Sequence, residues 1–203
     1  MTEAIASGLE PLDRAFYARP TTGVARELLG KLLVRRLAGR PAQVARIVEV
    51  EAYLGVRDAA SHARRGPTPR AAIMFGPPGF LYVYLIYGMH HCMNFVTETD
   101  GVAGAVLIRA AAPLVGFDRG GAGEGRRATR LLTGPGKLCA GLAITRANNG
   151  HDLTARREFF VADDGAPAPR RARSARIGVE YAGEWAARKL RFFDARSPYV
   201  CGA

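Results

Sequence analysis

The chain has 203 residues, and its 29 lysines and arginines outnumber its 18 aspartates and glutamates to give a formal net charge of +11. Apolar residues make up 48% and charged residues 23% of the sequence, which excludes a disordered chain and predicts a folded core. This length suits one domain spanning residues 1–203, of which residues 1–20 could form a loosely ordered start.

In chain order, the apolar pattern predicts short elements of both kinds. The first is a helix over residues 21–29, capped by Thr21 or Thr22 and ended by a left-handed Gly30. Strands are predicted over residues 31–37, 44–54, 80–86, 90–97, 105–110, 159–161, 176–179 and 190–193. A second helix is predicted over residues 135–144, and loops over residues 56–75 and 116–130. No linker separates two cores, so we expect one compact α+β domain with a largely antiparallel sheet and flanking short helices.

Targeting signals are missing from the sequence. The longest nearly uncharged stretch, residues 76–96, carries prolines, tyrosines and histidines at a density that a membrane span does not tolerate. The first 20 residues contain early acids and no apolar run of signal-peptide length. Cys92, Cys139 and Cys201 form no CxxC pair and are expected to be free thiols. The sequence therefore predicts a cytoplasmic protein.

The positive charge is carried almost entirely by arginine, since Lys31, Lys137 and Lys189 are the lysines of the chain. Arginine forks match phosphate oxygens and stack on bases, so a pI near 10.3 is typical of a protein that binds nucleic acid. A GC-rich genome that uses arginine codons freely would give the same charge on a merely solvated surface. Charge alone leaves both interpretations open.

Strict alternation in the second strand brings acidic and aromatic side chains together. On one face of a regular strand it places Ile47, Glu49, Glu51 and Tyr53. A glutamate between apolar neighbours is costly to bury unless it is paired or its pKa is raised, which makes Glu51, and less so Glu49, a candidate general base. The alternative is that both glutamates pair with arginines such as Arg46 or Arg109 at a solvated edge.

The segment 80–97 is typical of a β-hairpin, because Tyr87, Gly88 and Met89 separate two runs of aromatic and β-branched residues. Tyr82 and Tyr84 share one face of their strand, whereas Tyr87 lies at the tip. In a basic protein a tip aromatic can enter the DNA stack where a base has been displaced. The alternative is a tyrosine-rich strand that packs on the core with wet hydroxyl groups.

The remaining local motifs give no support for metal-dependent, nucleotide-driven or serine-hydrolase chemistry. His90, His91 and Cys92 lack a second ligand pair at metal-binding spacing, so no metal site is expected. His62 could hydrogen-bond a ligand or be an idle surface histidine. The sequence has no GxxxxGK[ST], no GxGxxG after a strand and no GxSxG, so nucleotide-driven and serine-hydrolase chemistry find no support.

The order of the segments is more informative than any one of them. From the second strand onward the chain contains RIVEVEAYLG, ASHARRGPTPR, MFGPPGFLYVYLIYGMHHCMN, VLIRAAAP, GPGKLCAGLAI, ARIGVEYAGEWAARKLRFF and SPYV. In this order they closely resemble the alkyladenine, or 3-methyladenine, DNA glycosylase family over about residues 28–200. The resemblance implies a monofunctional enzyme that flips alkylated or deaminated purines out of duplex DNA and hydrolyses the N-glycosidic bond, leaving an abasic site. It also implies a protruding hairpin that inserts into DNA. No cofactor is expected, and one carboxylate site in a small domain demands no partner, so a monomer is expected.

The same resemblance implies roles for particular residues. Glu51 would activate the attacking water, which Arg109 and the main-chain carbonyl of Ile177 would help to hold. The flipped base would be sandwiched and oriented by side chains of the second strand, the following loop and the hairpin, namely Tyr53, His62 and Tyr84. Asn94 would crowd the exocyclic amine of guanine.

At the tip of the hairpin, the resemblance implies that Tyr87 fills the vacated place in the stack, with Met89 and His90 beside it. The chain departs from the family pattern at His90 and His91, where better-known members carry bulkier aromatics, and at Ala71, where many carry Asn. Residues 116–130 have no clear counterpart in the family. Two rival classes are a lesion-binding or architectural DNA protein, which would not need Glu51, and an RNA-acting enzyme or formyl-transfer accessory domain.

Overall fold

The computed structural model describes residues 8–117 and 131–201. In these residues the helices are α1 (Arg14–Tyr17), α2 (Thr21–Leu28) and α3 (Pro135–Gly141). The strands are β1 (Leu32–Arg35), β2 (Gln43–Tyr53), β3 (Leu81–Ile86), β4 (His90–Val96), β5 (Ala105–Val115), β6 (Phe159–Ala162), β7 (Arg171–Ser174) and β8 (Arg191–Asp194). Short 3-10 turns lie at Gly55–Arg57, His62–Arg65, Ala72–Phe75, Arg146–Asn148 and Glu180–Trp185.

Every pairing between these strands is antiparallel, and β2 is the centre of the sheet. The main strand order is β3-β4-β5-β2-β1-β6. Strand β8 pairs with the same edge of β2 as β1 does, but nearer the C-terminal end of β2. Strand β7 pairs with the outer edge of β8. One edge of β2 therefore pairs with β5 along its length, and the other pairs first with β1 and then with β8. This topology confirms the α+β class with an antiparallel sheet.

The main core lies on one face of this sheet, where α2 and α3 pack. Val24 and Leu28 of α2 and Leu138 of α3 are fully buried in the same cluster as Val50 and Ile108 of the sheet. Burying such side chains stabilises the fold by about 1.5–3 kcal/mol each relative to exposing them. The opposite face of β2 and β5 is left to carry polar side chains.

The pairing of β2 with β5 has three register shifts, of which the two nearest the polar side chains are β-bulges that matter here, and the first of them corrects one sequence prediction. Ile47 pairs with Ala111 and Glu49 with Ala110, so Val48 is an extra residue on β2. A bulge reverses the alternation of faces. Ile47 accordingly packs in the main core, and the prediction that it shares a face with Glu49 was wrong.

The second bulge lies one step farther along the ladder, on the partner strand. Glu49 pairs with Ala110 and Val50 with Ile108, which leaves Arg109 as an extra residue on β5. Bulges redirect side chains and are frequent beside active sites. The two bulges therefore bring Glu49 and Arg109 to the same point on the polar face of the sheet.

The start of the chain is anchored from α1 onward. Tyr17 is fully buried, and Asp13 caps α1 by accepting the Phe16 N–H. The predicted helix over residues 21–29 is confirmed as α2, but no threonine side chain caps it. Its first N–H, that of Thr21, is donated instead to the carboxylate of Glu98, 77 residues away. Residues 1–7 lie outside the described part of the chain.

Two strand predictions near the C-terminus differ from the structure. Residues 176–179 do not form a strand, because Arg176 is drawn into a buried ion pair and Gly178 adopts a φ of 73°. The strand in this region is β7, whose sequence RARS lacks an apolar face and gave no strand signal. Of the loop predicted over residues 116–130, residues 118–130 lie outside the described residues. Among those described, no helix has the length and apolar character needed to cross a membrane.

Candidate active site

A cavity of about 230 Å³ opens between the β3–β4 hairpin and the polar face of β2 and β5. Two loops complete its wall, the turn that carries His62 and the segment that follows Arg176. Eight of the ten residues that the sequence analysis assigned to the site line this cavity or lie behind its wall. These are Glu51, Tyr53, His62, Tyr84, Tyr87, Asn94, Arg109 and Ile177.

Glu51 lies immediately behind the cavity wall, and its side chain is fully buried. Its Oε2 accepts the hydroxyl of Tyr53 at 2.9 Å, and its Oε1 accepts the backbone N–H of Ile177 at 2.8 Å. The Arg109 guanidinium lies 3.2 Å from the same Oε1. All three donors belong to residues that line the cavity. The predicted sharing of a strand face by Glu51 and Tyr53 is confirmed.

Burial raises the pKa of Glu51 above that of an ordinary carboxyl group. Arg109, the Ile177 N–H and the Tyr53 hydroxyl oppose this shift by stabilising the ionised form, whereas nearby Glu49 adds to it. Burial outweighs the stabilising contacts, so the net shift of the pKa is upward. A buried carboxyl group with a raised pKa beside a cavity is a candidate general base.

Glu49 forms the rear of the same network. Its Oε1 accepts Arg109 Nε at 2.8 Å and Arg191 Nε at 2.7 Å, and its Oε2 accepts the backbone N–H of Cys201 at 2.6 Å. Burial alone would lower the pKa of Arg109, but Glu51 and Glu49 outweigh it and raise that pKa. Arg109 is consequently a fixed cation held between two buried carboxylates.

Aromatic rings of the hairpin and the His62 turn form the far wall. The His62 and Tyr84 ring centroids lie 4.6 Å apart at 75°, and those of Tyr82 and Tyr84 lie 5.4 Å apart. His62 Nδ1 is 2.9 Å from the Tyr82 hydroxyl oxygen. An edge-to-face pair such as His62–Tyr84 adds about 0.5–1.5 kcal/mol to the burial of the rings. With Tyr53 on the opposite strand, these rings give the cavity an electron-rich lining.

His62 is held in its neutral form. Burial, with the nearby Arg70 guanidinium as a second cause, lowers the pKa of His62 to about 4. Arg70 itself lies over the Tyr84 ring, with its guanidinium carbon 4.9 Å from the centroid. The imidazole can thus stack and hydrogen-bond at neutral pH, but it carries no positive charge there.

A buried ion pair that the sequence analysis did not find supports one side of the cavity. Arg176 donates to both carboxylate oxygens of Asp58, at 2.5 and 2.8 Å, and to the carbonyl of Ala52 at 2.9 Å. Its guanidinium carbon lies 4.6 Å from the centre of the Tyr53 ring. The pair fixes that ring and places the Ile177 N–H against Glu51. Because 118 residues separate its partners, no local pattern could have revealed it.

Asn94 closes the inner end of the cavity. It lies opposite Tyr82 in the hairpin register and is nearly fully buried. Its Nδ2 donates to the Tyr82 carbonyl at 3.2 Å. Cys92, two residues earlier on the same strand, also lines the cavity, and burial raises the pKa of its thiol. A fixed amide at this depth can discriminate between the edges of different bases.

The tip of the hairpin stands apart from the cavity interior. Tyr87 is 86% and Met89 70% exposed, although Tyr87 also contributes to the cavity rim. Tyr87 and Gly88 have φ values of 53° and 69°, as tight hairpin turns require. His90 packs on Gly136 of the GPGK segment, where a Cβ would lie 3.1 Å from the imidazole. The structure thus places Met89 and His90 at the tip and outside the cavity.

In the described part of the chain, no cluster of three His, Cys, Asp or Glu side chains could hold a metal ion.

Comparison with known proteins identifies the family of the chain. A family model described as methylpurine-DNA glycosylase matches residues 15–198.

Individual relatives are similar over nearly the whole chain. A protein of Methanocella arvoryzae is 52% identical over 192 residues, covering 93% of this chain and 94% of its own. One of Anaeromyxobacter dehalogenans 2CP-C is 57% identical over 192 residues, covering 93% and 86%. One of Legionella pneumophila is 44% identical over 194 residues, covering 95% and 98%. Each is named "Putative 3-methyladenine DNA glycosylase".

Proposed function

The chain belongs to the methylpurine-DNA glycosylase family and is a hydrolase of N-glycosyl bonds in DNA, and from this premise we propose how its site works. A damaged purine, alkylated or deaminated, is flipped out of duplex DNA into the cavity of about 230 Å³. Water then replaces the purine at the sugar carbon and leaves an abasic site. The observation that carries this proposal is the buried Glu51 carboxylate, joined to the cavity wall by three donors.

The flipped base lies among Tyr53, His62 and Tyr84. An alkylated purine such as 3-methyladenine is positively charged, and electron-rich ring faces attract a cation by about 0.5–2 kcal/mol each. Because the pKa of His62 is lowered to about 4, its imidazole is neutral and does not repel such a base. Cationic lesions are therefore the preferred class. A neutral lesion such as hypoxanthine needs hydrogen bonds to the leaving base, since neutral His62 is too weak an acid to protonate that base at neutral pH.

Glu51 takes a proton from the attacking water as the bond to the sugar breaks. The transition state resembles an oxocarbenium ion, which a nearby carboxylate stabilises. Arg109 and the main-chain carbonyl of Ile177 hold the water in line with the sugar carbon. Glu49 acts through Arg109 as a positioning residue, because it binds the Nε of that guanidinium.

Selection against normal guanine is assigned to Asn94. Its amide is fixed by the Tyr82 carbonyl and reaches the inner end of the cavity, where the exocyclic amine of guanine would be crowded. Flipping itself adds selectivity, because a damaged or mismatched base costs less to unstack and unpair.

The hairpin tip enters the minor groove during flipping. Tyr87 fills the vacated place in the stack, and Met89 and His90 flank it. The exposure of Tyr87 and Met89 leaves their apolar surface free for this contact. We further propose that the enzyme works as a cytoplasmic monomer on double-stranded DNA, since one chain supplies every group that the reaction uses.

The reaction ends at hydrolysis. A Schiff-base lyase step requires an amine at the sugar carbon, and none of the three lysines in the sequence lines the cavity. Borohydride treatment during turnover on methylated DNA should therefore trap no covalent complex. A trapped complex would contradict the hydrolytic mechanism.

Release of free methylpurine from methylated duplex DNA tests the proposal. We expect release by the unchanged chain and by the control Glu184→Gln, which alters an exposed glutamate remote from Glu51 in the sequence. Glu51→Gln should release no base and still bind lesion duplex. Binding of damaged duplex without release by the unchanged chain would favour the rival architectural function, and release by Glu51→Gln would remove Glu51 from its role.

A further inference from the structure

A second basic surface, here called the back groove, lies between α2 and the β7–β8 pair. It encloses about 490 Å³, and Leu190 and Phe192 form its floor. Four basic side chains line it, namely Arg26, Arg171, Arg173 and Lys189. All four are exposed to solvent. The groove shares no lining residue with the cavity of the active site.

The strand register determines the direction in which the back groove faces. Arg173 lies opposite Phe192, and Phe192 lies opposite Val50, whose side chain is in the main core. Paired residues share a face of the sheet and successive residues alternate. Glu51, the residue after Val50, therefore points to the other face. Arg171, two residues before Arg173, also faces away from the catalytic carboxylate.

The cations of the back groove have no carboxylate partner among the residues that the structure describes. Some other basic side chains of the surface do form ion pairs with carboxylates. Those pairs are Arg14–Asp152, Arg19–Glu27, Lys31–Asp163, Arg46–Asp164 and Arg156–Glu10. Four like charges that line one groove without a counter-charge repel one another, so a bound anion would reduce this electrostatic repulsion.

One carboxylate is near the back groove. Asp194 lies opposite Arg171 in the β7–β8 ladder. Its Oδ1 accepts the backbone N–H of Arg196, and it forms no ion pair with Arg171 within the described chain. The net charge of the side chains that line the back groove is therefore positive.

We propose that the back groove binds the phosphate backbone of a second segment of duplex DNA while the cavity face holds the duplex under repair. Arginine forks match phosphate oxygens, and Arg171 and Arg173 lie two residues apart on one face of a strand. Arginines on the outermost strand β7 also prevent edge pairing with other chains. That role does not account for Arg26 and Lys189, which come from α2 and the segment before β8 and line the same groove.

Two opposed DNA surfaces allow the protein to bridge two duplexes and pass between them without full release. The proposal concerns residues with no part in base release, so it does not depend on the role of Glu51. Its failure and a failure of the catalytic assignment would be seen in separate assays.

Capture of a second duplex by a preformed complex tests the proposal. The full chain is bound at one copy per immobilised short duplex that carries an uncleavable abasic-site analogue. Retention of a labelled undamaged duplex is then measured against its concentration. We expect Arg171→Glu/Arg173→Glu to weaken capture about tenfold or more and to lower its salt-dependence slope by roughly two. Arg171→Gln/Arg173→Gln should give a smaller loss in the same direction.

The matched control is Arg40→Glu/Arg157→Glu, which changes the net charge equally at exposed positions outside the back groove. It should capture the second duplex as the unchanged chain does, and all variants should release methylpurine from a short duplex at the unchanged rate. Failure of the unchanged chain to capture a second duplex would overturn the proposal. So would an equal loss in the control, a parallel loss of base release in the groove variants, or capture of structured RNA in preference to duplex DNA.

Discussion

At the residue scale, the proposed chemistry depends on two opposing influences on the pKa of one carboxyl group. Complete burial of Glu51 disfavours its ionised form, while Arg109, Tyr53 and the Ile177 N–H favour it. Burial prevails and raises the pKa. Since the base works only when ionised, base release should decline as the pH falls through this raised pKa, above the ordinary glutamate value of about 4.3.

Tyr53→Phe should shift the pH at which base release declines on the acid side, the acid limb of the pH–rate profile, to higher pH. The substitution keeps the ring that stacks on the base and removes the hydroxyl that donates to Glu51 Oε2 at 2.9 Å. Loss of a donor to the ionised form raises the pKa of Glu51 further. Single-turnover base release measured across pH reports the shift. An unmoved limb would show that this hydrogen bond does not control the base.

Glu49→Gln should move the acid limb of the pH–rate profile to lower pH. The charge of Glu49 helps to raise the pKa of Glu51, so its removal lowers that pKa and extends activity to lower pH. The same change leaves Arg109 and Arg191 without their shared carboxylate and should cost roughly 3 kcal/mol of unfolding free energy. Denaturant unfolding measures that cost. A loss of stability without the downward pH shift would indicate a structural role alone.

At the element scale, the hairpin β3–β4 connects the cavity to the exposed turn that we propose enters the DNA stack. Tyr84 faces the cavity from the strand, and Tyr87 stands at the exposed turn three residues later. The two-stranded ladder fixes the distance between the cavity and Tyr87, the residue that we propose replaces the base in the duplex. The hairpin can therefore couple insertion of Tyr87 to capture of the flipped purine.

Tyr87→Ala should slow release of a paired lesion about tenfold or more, because a stacked aromatic contributes about 1–3 kcal/mol per base. The effect should be smaller for a lesion opposite an abasic site, which needs less work to flip. Tyr87→Phe, which keeps the ring, serves as the control. Single-turnover rates on the two duplexes provide the comparison. Equal slowing on both substrates would contradict a role in flipping.

Much of the hairpin and of the site could be predicted because local alternation encodes them. The face shared by Glu51 and Tyr53 and the exposed position of Tyr87 followed from parity alone. Ile47 was misplaced because a bulge at Val48 has no signature in the residue pattern, and it shows only in the register of the partner strand. The strand RARS was missed because its side chains alternate between arginine and small residues.

At the scale of the whole molecule, one buried ion pair connects distant parts of the chain beneath the site. Asp58 accepts the N–H groups of Leu54 and Ala60 in its own loop and both terminal nitrogens of Arg176. The two side chains are completely buried. This contact between remote segments positions Tyr53 and Ile177, and it depends on the complete fold.

Asp58→Asn should lower the free energy of unfolding by about 3–5 kcal/mol, because it leaves the Arg176 charge buried without compensation. The matched control is Asp164→Asn, which breaks the partly exposed pair with Arg46 and should cost at most about 1 kcal/mol. Urea or guanidinium unfolding of both variants measures the difference. A cost for Asp58→Asn no larger than that of the control would contradict the structural role of the pair.

In the described part of the chain, the two faces of the sheet carry different groups of side chains. The front face carries the cavity, the hairpin and the carboxylates, and the back groove carries four cations without described partners. Composition left a nucleic-acid partner and a merely solvated surface equally open, and it gave no indication of this arrangement, which arises only when β7 pairs with β8 beside β2.

The central claim is that Glu51 performs chemistry and contributes little to DNA binding. Its most direct test is single-turnover base release by Glu51→Gln at saturating enzyme, with affinity for a duplex carrying an uncleavable abasic-site analogue measured on the same protein. We predict a loss of rate of at least about a thousandfold, with affinity within about threefold of the unchanged chain. A rate within tenfold of the unchanged chain, or a loss of rate matched by an equal loss of affinity, would contradict the account.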